Sequence, residues 1–453
     1  MTIHDLLRRR AAEAPDRPFL LFEGREFTHR EIDDRSTRVA ARLVRLGVRK
    51  GDRVAVVMDN RPEFFLAWLG ILKAGAALVP VNPTLTPPEV EYIVSNSEAR
   101  LTITPKEFEA GFEDDPATLP EVGPHDLAAI VYTSGTTGKP KGAMLTHANY
   151  LWDAEAIVKA AGMTPEDRFV CILPVFHVNA QVVTFLAPLV GGGSMVLLRR
   201  FHPLELLEAL AKTRATAFSG VPTVYTILNQ LPGAEKFDLS RLRFCICGAA
   251  PMPVEVFETF ERKFRARILE GYGLTEATCA SSINPLDRRK VGSIGVPLQG
   301  QEMKLVEGEI VVRGSNVMKG YWRNPEATAE AIRDGWLHTG DLGRIAADGY
   351  FVNSGRKQAM INRGGQKVWP KEIEEVLFAH PAVADAAVAG VADPKYGEEV
   401  AAYVVRKSAV TEAEILDFCR GRLAEYKRPK AVLFRESLPK TATGKVQKHL
   451  LRG

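Results

Sequence analysis

The chain has 453 residues, 46% hydrophobic and 25% charged, and its 59 basic and 55 acidic side chains leave a net charge of +4. That balance excludes a disordered or repeat-driven chain, and the small surplus gives no electrostatic footprint for nucleic acid. At about 150 residues per domain, the length predicts two to four domains and a core that needs no staples.

In chain order, Met1–Pro18 mixes acids with arginines and lacks the apolar run of a secretory signal. Arg53–Met58 reads as a β-branched strand, Arg61–Ala74 as an amphipathic helix and Ala77–Pro80 as a second strand, together a βαβ unit. The rhythm recurs with strand Arg168–Leu173, helix Gln181–Leu189, strand Ser194–Leu198 and helix Pro203–Lys212. Strand Ala215–Ser219, helix Thr223–Gln230, strand Leu242–Cys247, helix Pro253–Phe264 and strand Ala266–Leu269 continue it. The uncharged stretch Ala180–Leu198 contains Pro188 and Gly191–Gly193, so it predicts a buried helix, a turn and a strand, not a membrane span. Past residue 290 short strands such as Met303–Val306 and Glu309–Arg313 predict a β-subdomain. Beyond Gly355 a small α+β unit is expected: helix Lys371–Ala379, strands Val383–Val391 and Val400–Arg406, helix Glu412–Leu423 and a polar tail. The fold class is α/β, with a large part of layered sheets and a small mobile C-terminal part. The five cysteines are odd in number and form no C-x-x-C pair, which predicts reduced, mostly buried thiols in a cytoplasmic protein.

Chemistry-bearing residues gather in a few segments. Thr133-Ser134-Gly135-Thr136-Thr137-Gly138-Lys139-Pro140-Lys141-Gly142 follows a predicted strand. Its glycines can turn backbone N–H groups toward an anion, its hydroxyls add donors and its lysines add charge, so it reads as a phosphate cradle. The Walker spacing is absent, because Pro140 stands five residues after Gly135. Phe176-His177 and Gly271-Tyr272-Gly273-Leu274-Thr275-Glu276 also follow strands, where open α/β sheets bind ligands. Glu276 could supply an oxygen to Mg²⁺ or serve as a helix-start carboxylate. Asp341, in Trp336–Gly343, could bind a diol or be a turn aspartate. The loop Pro439–Lys445 alone reads as a solvated lysine tail.

Together these segments, with Gly248-Ala249-Ala250-Pro251, Gly308–Trp322, Gly355-Arg356 and Gly364-Gly365, resemble the adenylate-forming enzymes: acyl-CoA synthetases, adenylation domains and luciferases. The resemblance covers nearly the whole chain and points most to a bacterial-type fatty-acyl or aryl-acid CoA ligase. It implies ATP, Mg²⁺ and CoA. It also implies a large AMP-binding domain over 1–355 and a small lid over 356–453, with a hinge at 356–359. By this resemblance Thr133, Ser134, Gly135, Thr136, Thr137, Gly138 and Lys141 hold the outer phosphates, Thr275 contacts the α-phosphate and Glu276 binds Mg²⁺. Tyr272 stacks on adenine between Gly271 and Gly273, opposite Gly248, Ala249 and Ala250. Asp341 binds the ribose hydroxyls, Arg356 reinforces that side, and Lys445 bridges carboxylate and α-phosphate.

Gly364 and Gly365 would line a pantetheine tunnel, with His177 as its gate. The acyl wall would include Val178, Asn179, Val182, Phe185, Val221, Ala249, Ala250 and Thr278. It is mostly apolar, and Ile227 stands where malonate-activating relatives carry arginine, so a monocarboxylic acid is expected. Asn179 and Gln181 could bind a polar substituent or be ordinary helix-start amides. The hinge departs from the family pattern: Gln358-Ala359 replace the residues that end in aspartate. That keeps open a different acceptor, such as a carrier protein, an amine or nitrite. A catalytically dead nucleotide-binding protein is a third reading. A monomer or homodimer, with no integral membrane segment and no nucleic-acid partner, is expected.

Overall fold

β-branched runs separated by amphipathic helices can bury both faces of a parallel sheet, and here they do so twice. The computed structural model describes residues 1–115, 117–133, 140–250, 252–441, 444 and 446–451. A nine-stranded sheet runs Val296–Pro297, Ser282–Ile283, Arg267–Tyr272, Phe244–Cys247, Ala217–Gly220, Arg168–Cys171, Ser194–Leu197, Pro18–Phe22 and Arg25–Thr28. Its six strands from Arg267–Tyr272 to Pro18–Phe22 are mutually parallel, so their carboxyl ends open on one side. A second sheet, ordered Leu101–Ile103, Arg53–Val57, Ala77–Val81, Leu127–Thr133 and Lys141–Thr146, is parallel except at its last pair.

Helices fill the space between these sheets. Pro62–Lys73 starts with proline in its first turn, is apolar almost all round, and is nearly wholly buried. Its Gly70 permits the close approach of helix His29–Arg45, because a Cβ there would stand 2.4 Å from Val39 Cγ1. Lys73 is buried with it and donates to Asp33 Oδ1 at 2.6 Å and Thr37 Oγ1 at 2.8 Å.

Residues 302–356 form a third, antiparallel sheet of Glu302–Val306, Glu309–Arg313, Trp336–Ile345, Ile332–Arg333 and Phe351–Arg356. Its first hairpin turns on Glu307 and Gly308 alone, both at positive φ (50° and 80°), as a tight two-residue turn requires. The fourth sheet joins Gln366–Val368, Ile361–Arg363, Gly397–Arg406, Val383–Asp393 and Ala431–Arg435, with helices Pro370–Phe378 and Glu412–Arg420 over its own apolar core.

Most expected elements form within a few residues of their predicted ends. The region expected as helix Gln181–Leu189 is instead a π-helix over Ala180–Leu186 followed by a short α-helix over Ala187–Gly191. The expected polar tail holds the strand Ala431–Arg435, paired parallel to Gly397–Arg406. All five cysteines are free, and among the described residues no helix is long and apolar enough to cross a membrane.

Candidate active site

A cavity of about 580 Å³ opens where the parallel strands end. Thr133 and Lys141 enter it from the second sheet, and His177, Val178 and Asn179 from the loop after Arg168–Cys171. Gly248 and Ala249 follow strand Phe244–Cys247, and Gly271 to Glu276 end or follow strand Arg267–Tyr272. Thr339, Gly340 and Arg356 come from the antiparallel sheet. Two backbone features shape these loops. Ala249 holds φ at +68°, uncommon for a residue with a Cβ, and a Cβ on Gly273 would collide with Cys279 O at 1.8 Å.

Two carboxylates anchor the polar half. Asp341 is only 6% exposed and is not itself on the wall, but its partners Tyr272 and Arg356 are. Tyr272 donates its hydroxyl to Asp341 Oδ2 at 2.8 Å, and Arg356 Nε lies 3.2 Å from Oδ1. Burial and the Asp341 charge push the Tyr272 hydroxyl far above its usual pKa, so it is a fixed donor. Glu276 Oε1 accepts from Tyr321 at 2.8 Å and, more weakly, from Thr133 Oγ1 at 3.4 Å. The ammonium of Lys141 sits 4.7 Å from the centre of the Tyr321 ring. Cations, hydroxyls and the Glu276 carboxylate therefore face one volume, the donor set for a phosphate ester with a bound divalent ion. Among the described residues no group of three or more His, Cys, Asp or Glu side chains is placed to hold a metal ion. A single carboxylate completed by phosphate oxygens and water is what Mg²⁺ commonly takes.

The other half of the cavity is apolar, with Ile157, Val183, Ile246, Cys279 and Ala280 on its walls. His177 lines the cavity as well, and enclosure by the protein lowers its pKa to about 4, so it is uncharged at neutral pH. Thr275 lines the cavity as well. Ala250, Val182, Val221, Phe185 and Thr278 are not on its wall. Phe185 is core: its ring stacks 4.3 Å from Phe65 and edges against Phe19. Thr278 is fully buried at φ +62° and donates to Asn316 O at 2.6 Å. Val221 meets the C-terminal loop instead, its Cγ2 lying 3.0 Å from where a Cβ on Gly444 would stand. Lys440 of that loop donates to Thr223 Oγ1 at 3.2 Å and to Asp385 Oδ2 at 2.6 Å.

Gly364 and Gly365 take positive φ in the turn between Ile361–Arg363 and Gln366–Val368. Lys357–Ala359 is a single 3-10 turn directly after Arg356. Ser134, Gly135, Thr136, Thr137, Gly138 and Lys445 lie outside the described residues, as does the side chain of Gln358. Nothing in the sequence marks Tyr321, since a tyrosine between glycine and tryptophan reads as packing. Its proximity to Glu276 comes only from the fold.

The AMP-binding enzyme profile matches residues 7–322, and the AMP-binding enzyme C-terminal domain profile matches residues 372–445. The chain is 38% identical to a feruloyl-CoA synthase of an Amycolatopsis species, over 98% of this chain and 97% of that one. It is 35% identical to a long-chain-fatty-acid–CoA ligase of Bacillus subtilis, over 99% and 94%. The crystal structure of an anthranilate CoA ligase in complex with anthranoyl-AMP superposes with a TM-score of 0.94 at 29% identity, covering 100% of this chain and 96% of that one.

Glu270, on the strand that ends at Tyr272, is a buried carboxyl that the sequence did not flag. Desolvation raises its pKa to about 7, partly opposed by Lys371, with Glu375 adding to the rise. Glu270 Oε1 accepts from Met252 N at 3.4 Å. A carboxyl whose folded pKa exceeds its unfolded value stabilises the fold fully below the unfolded value of 4.5, and that contribution is lost as pH rises to about 7. Glu270→Gln keeps the acceptor and cannot ionise. Its melting temperature relative to wild type should therefore rise by roughly 2–4 °C between pH 5 and pH 8. A difference that stays flat across that range would contradict the assignment.

Proposed function

The chain belongs to the AMP-binding enzyme family, and from that premise we propose that it activates a carboxylic acid with ATP and passes the acyl group to the thiol of CoA. Its class is the AMP-forming acid–CoA ligases, and it uses ATP, Mg²⁺ and CoA. The observation that carries the reading is the convergence of Tyr272 and Arg356, both held by Asp341 behind them, with Thr133, Lys141 and Glu276 on one cavity that is also lined by apolar side chains.

A free carboxylate is a poor acyl donor because its oxide leaves poorly. In the first step a carboxylate oxygen bonds to the α-phosphorus of ATP. The bond from that phosphorus to the bridging oxygen breaks, pyrophosphate leaves, and an acyl–AMP anhydride remains. Two anions must meet, so positive charge and oriented donors lower the barrier. Lys141, Thr133, Ser134, Thr136 and Thr137 would hold the outer phosphates, Thr275 the α-phosphate, and Lys445 the carboxylate together with the α-phosphate. Glu276 would hold Mg²⁺, which neutralises charge on the phosphate oxygens. Asp341 would accept hydrogen bonds from both ribose hydroxyls. In the second step the thiol sulfur bonds to the acyl carbon, AMP leaves with the electron pair of the acyl–oxygen bond, and the thiol proton passes to solvent. Gly364 and Gly365 would border the thiol's approach past His177.

We place the division between the large and small domains at 355/356, with the hinge in 356–359, and the enzyme in the cytoplasm as a monomer or homodimer. One observation favours a second acceptor. Ala359 lacks a side chain that could make polar hinge contacts, so a carrier-protein thiol or an amine would take the acyl group if rotation of the small domain is impaired.

Incubation with ATP, CoA and a panel of carboxylic acids should give AMP and thioester in equal amounts for at least one acid. Exchange of pyrophosphate into ATP without thioester would favour the second acceptor, and no exchange with any acid would sink the reading. Lys445→Ala should lower adenylation on the order of a hundredfold while largely keeping thioester formation from preformed acyl-AMP. Equal loss of both steps would overturn its assigned role.

A further inference from the structure

The apolar half of the cavity contains one amide that the protein does not use. Asn179 lines the cavity, and its Oδ1 is buried with no hydrogen-bond partner. Polar groups nearby are engaged. Gln181, fully buried, accepts from the Tyr150 hydroxyl at 2.7 Å and donates to Val175 O at 3.0 Å. Ser282 donates to Ile294 O at 2.7 Å. The two amides left open by the sequence thus separate: Gln181 is a structural strut, whereas Asn179 is left for a ligand.

The backbone around Asn179 is also unusual. It immediately precedes the π-helix Ala180–Leu186, and π-turns are frequent at functional sites. Asn179 and Val183, four residues apart, both reach the cavity wall. A buried amide oxygen without a partner costs about 1–3 kcal/mol, and a ligand donor that reaches it once the amide turns toward the cavity removes that cost. Turning the amide by 180° presents either its oxygen or its NH₂, so it suits both kinds of partner.

Size narrows the ligand further. Arg356, Thr339, Ile157 and Ala280 all line the same cavity of about 580 Å³. That lies within the range of about 300–1,000 Å³ usual for one ligand of drug size. With the nucleotide occupying the polar half, the apolar half suits a compact, ring-sized acyl group better than a long chain.

We propose that Asn179 is a specificity residue, and that the preferred substrate is a compact carboxylic acid carrying a hydroxyl or amino substituent that hydrogen-bonds to its side-chain amide. This rests on the acid-activating reading above and adds the substrate class. A purely apolar pocket gains little from a hydroxyl, whereas a pocket with an unpaired polar group discriminates strongly against an analogue that leaves it unpaired.

The test compares benzoate with the 2-, 3- and 4-hydroxy- and aminobenzoates by pyrophosphate exchange. For wild type, kcat/KM should favour at least one substituted acid over benzoate on the order of tenfold or more. In Asn179→Leu, close in volume, and Asn179→Ala, that ratio should fall to near one, whatever happens to either kcat/KM alone. Benzoate equal to or better than every substituted acid in wild type would overturn the proposal. So would a preference that survives both substitutions. The affinities of benzoyl-sulfamoyl-adenosine and its hydroxylated counterpart read the same discrimination without turnover. Lack of exchange with any acid would therefore count against the acid-activating reading, while equal binding of the two analogues would count against the role of Asn179.

Discussion

A carboxylate removed from water must be paired, and the pairing of Asp341 holds the site together. Its two partners come from different sheets. Tyr272 ends a parallel strand of the nine-stranded sheet, and Arg356 ends the antiparallel strand directly opposite Asp341, where the two residues are register partners. The antiparallel sheet is thereby tied to the carboxyl ends of the parallel one, and the gap between them becomes the cavity. Arg356 is also the last strand residue before the turn at 357–359, so the group that pairs with Asp341 stands at the junction with the small C-terminal unit. Its side chain is 41% exposed, which leaves guanidinium donors for a ligand.

The rest of the site follows from strand direction. Six parallel strands open on one side, so the loops after them must meet there, whatever their separation along the chain. Three of these loops bring an uncharged histidine at 177, bare backbone at 248 and a carboxylate at 276, while Thr133 and Lys141 enter from the second sheet. Glu276 is fixed by Tyr321 and Thr133, which arrive from sequence positions 45 residues after it and 143 residues before it. The result is a polar half suited to a nucleotide next to an apolar half suited to an acyl group.

Much of this was legible in the sequence because residue type and strand position agree. Glycines, hydroxyls and lysines after a β-branched run can hardly serve a core, so the loops at 133–142 and 271–276 stood out. The α/β rhythm was equally clear, since helix and strand periods differ. The misses have physical causes. A π-helix over Ala180–Leu186 differs from an α-helix by less than one residue per turn, too little to show in seven residues. Phe185 was expected in the acyl wall because an apolar side chain in a pocket segment carries no mark of whether it faces ligand or core. Here it joins the Phe65 stack. Strand Ala431–Arg435 looked like tail because its charged neighbours masked a short apolar pattern. Glu270 and Lys73 could not be recognised as buried, since burial of a charge depends on distant partners.

We propose that the Asp341 carboxylate, held by Tyr272 and Arg356, receives the ribose of an adenine nucleotide. Equilibrium titration with AMP and with 2′,3′-dideoxy-AMP tests it without catalysis. Wild type should bind AMP about tenfold or more tightly than the dideoxy analogue, as expected for hydrogen bonds to a charged acceptor. Asp341→Asn should narrow that ratio. Equal affinity of wild type for the two nucleotides would contradict the account.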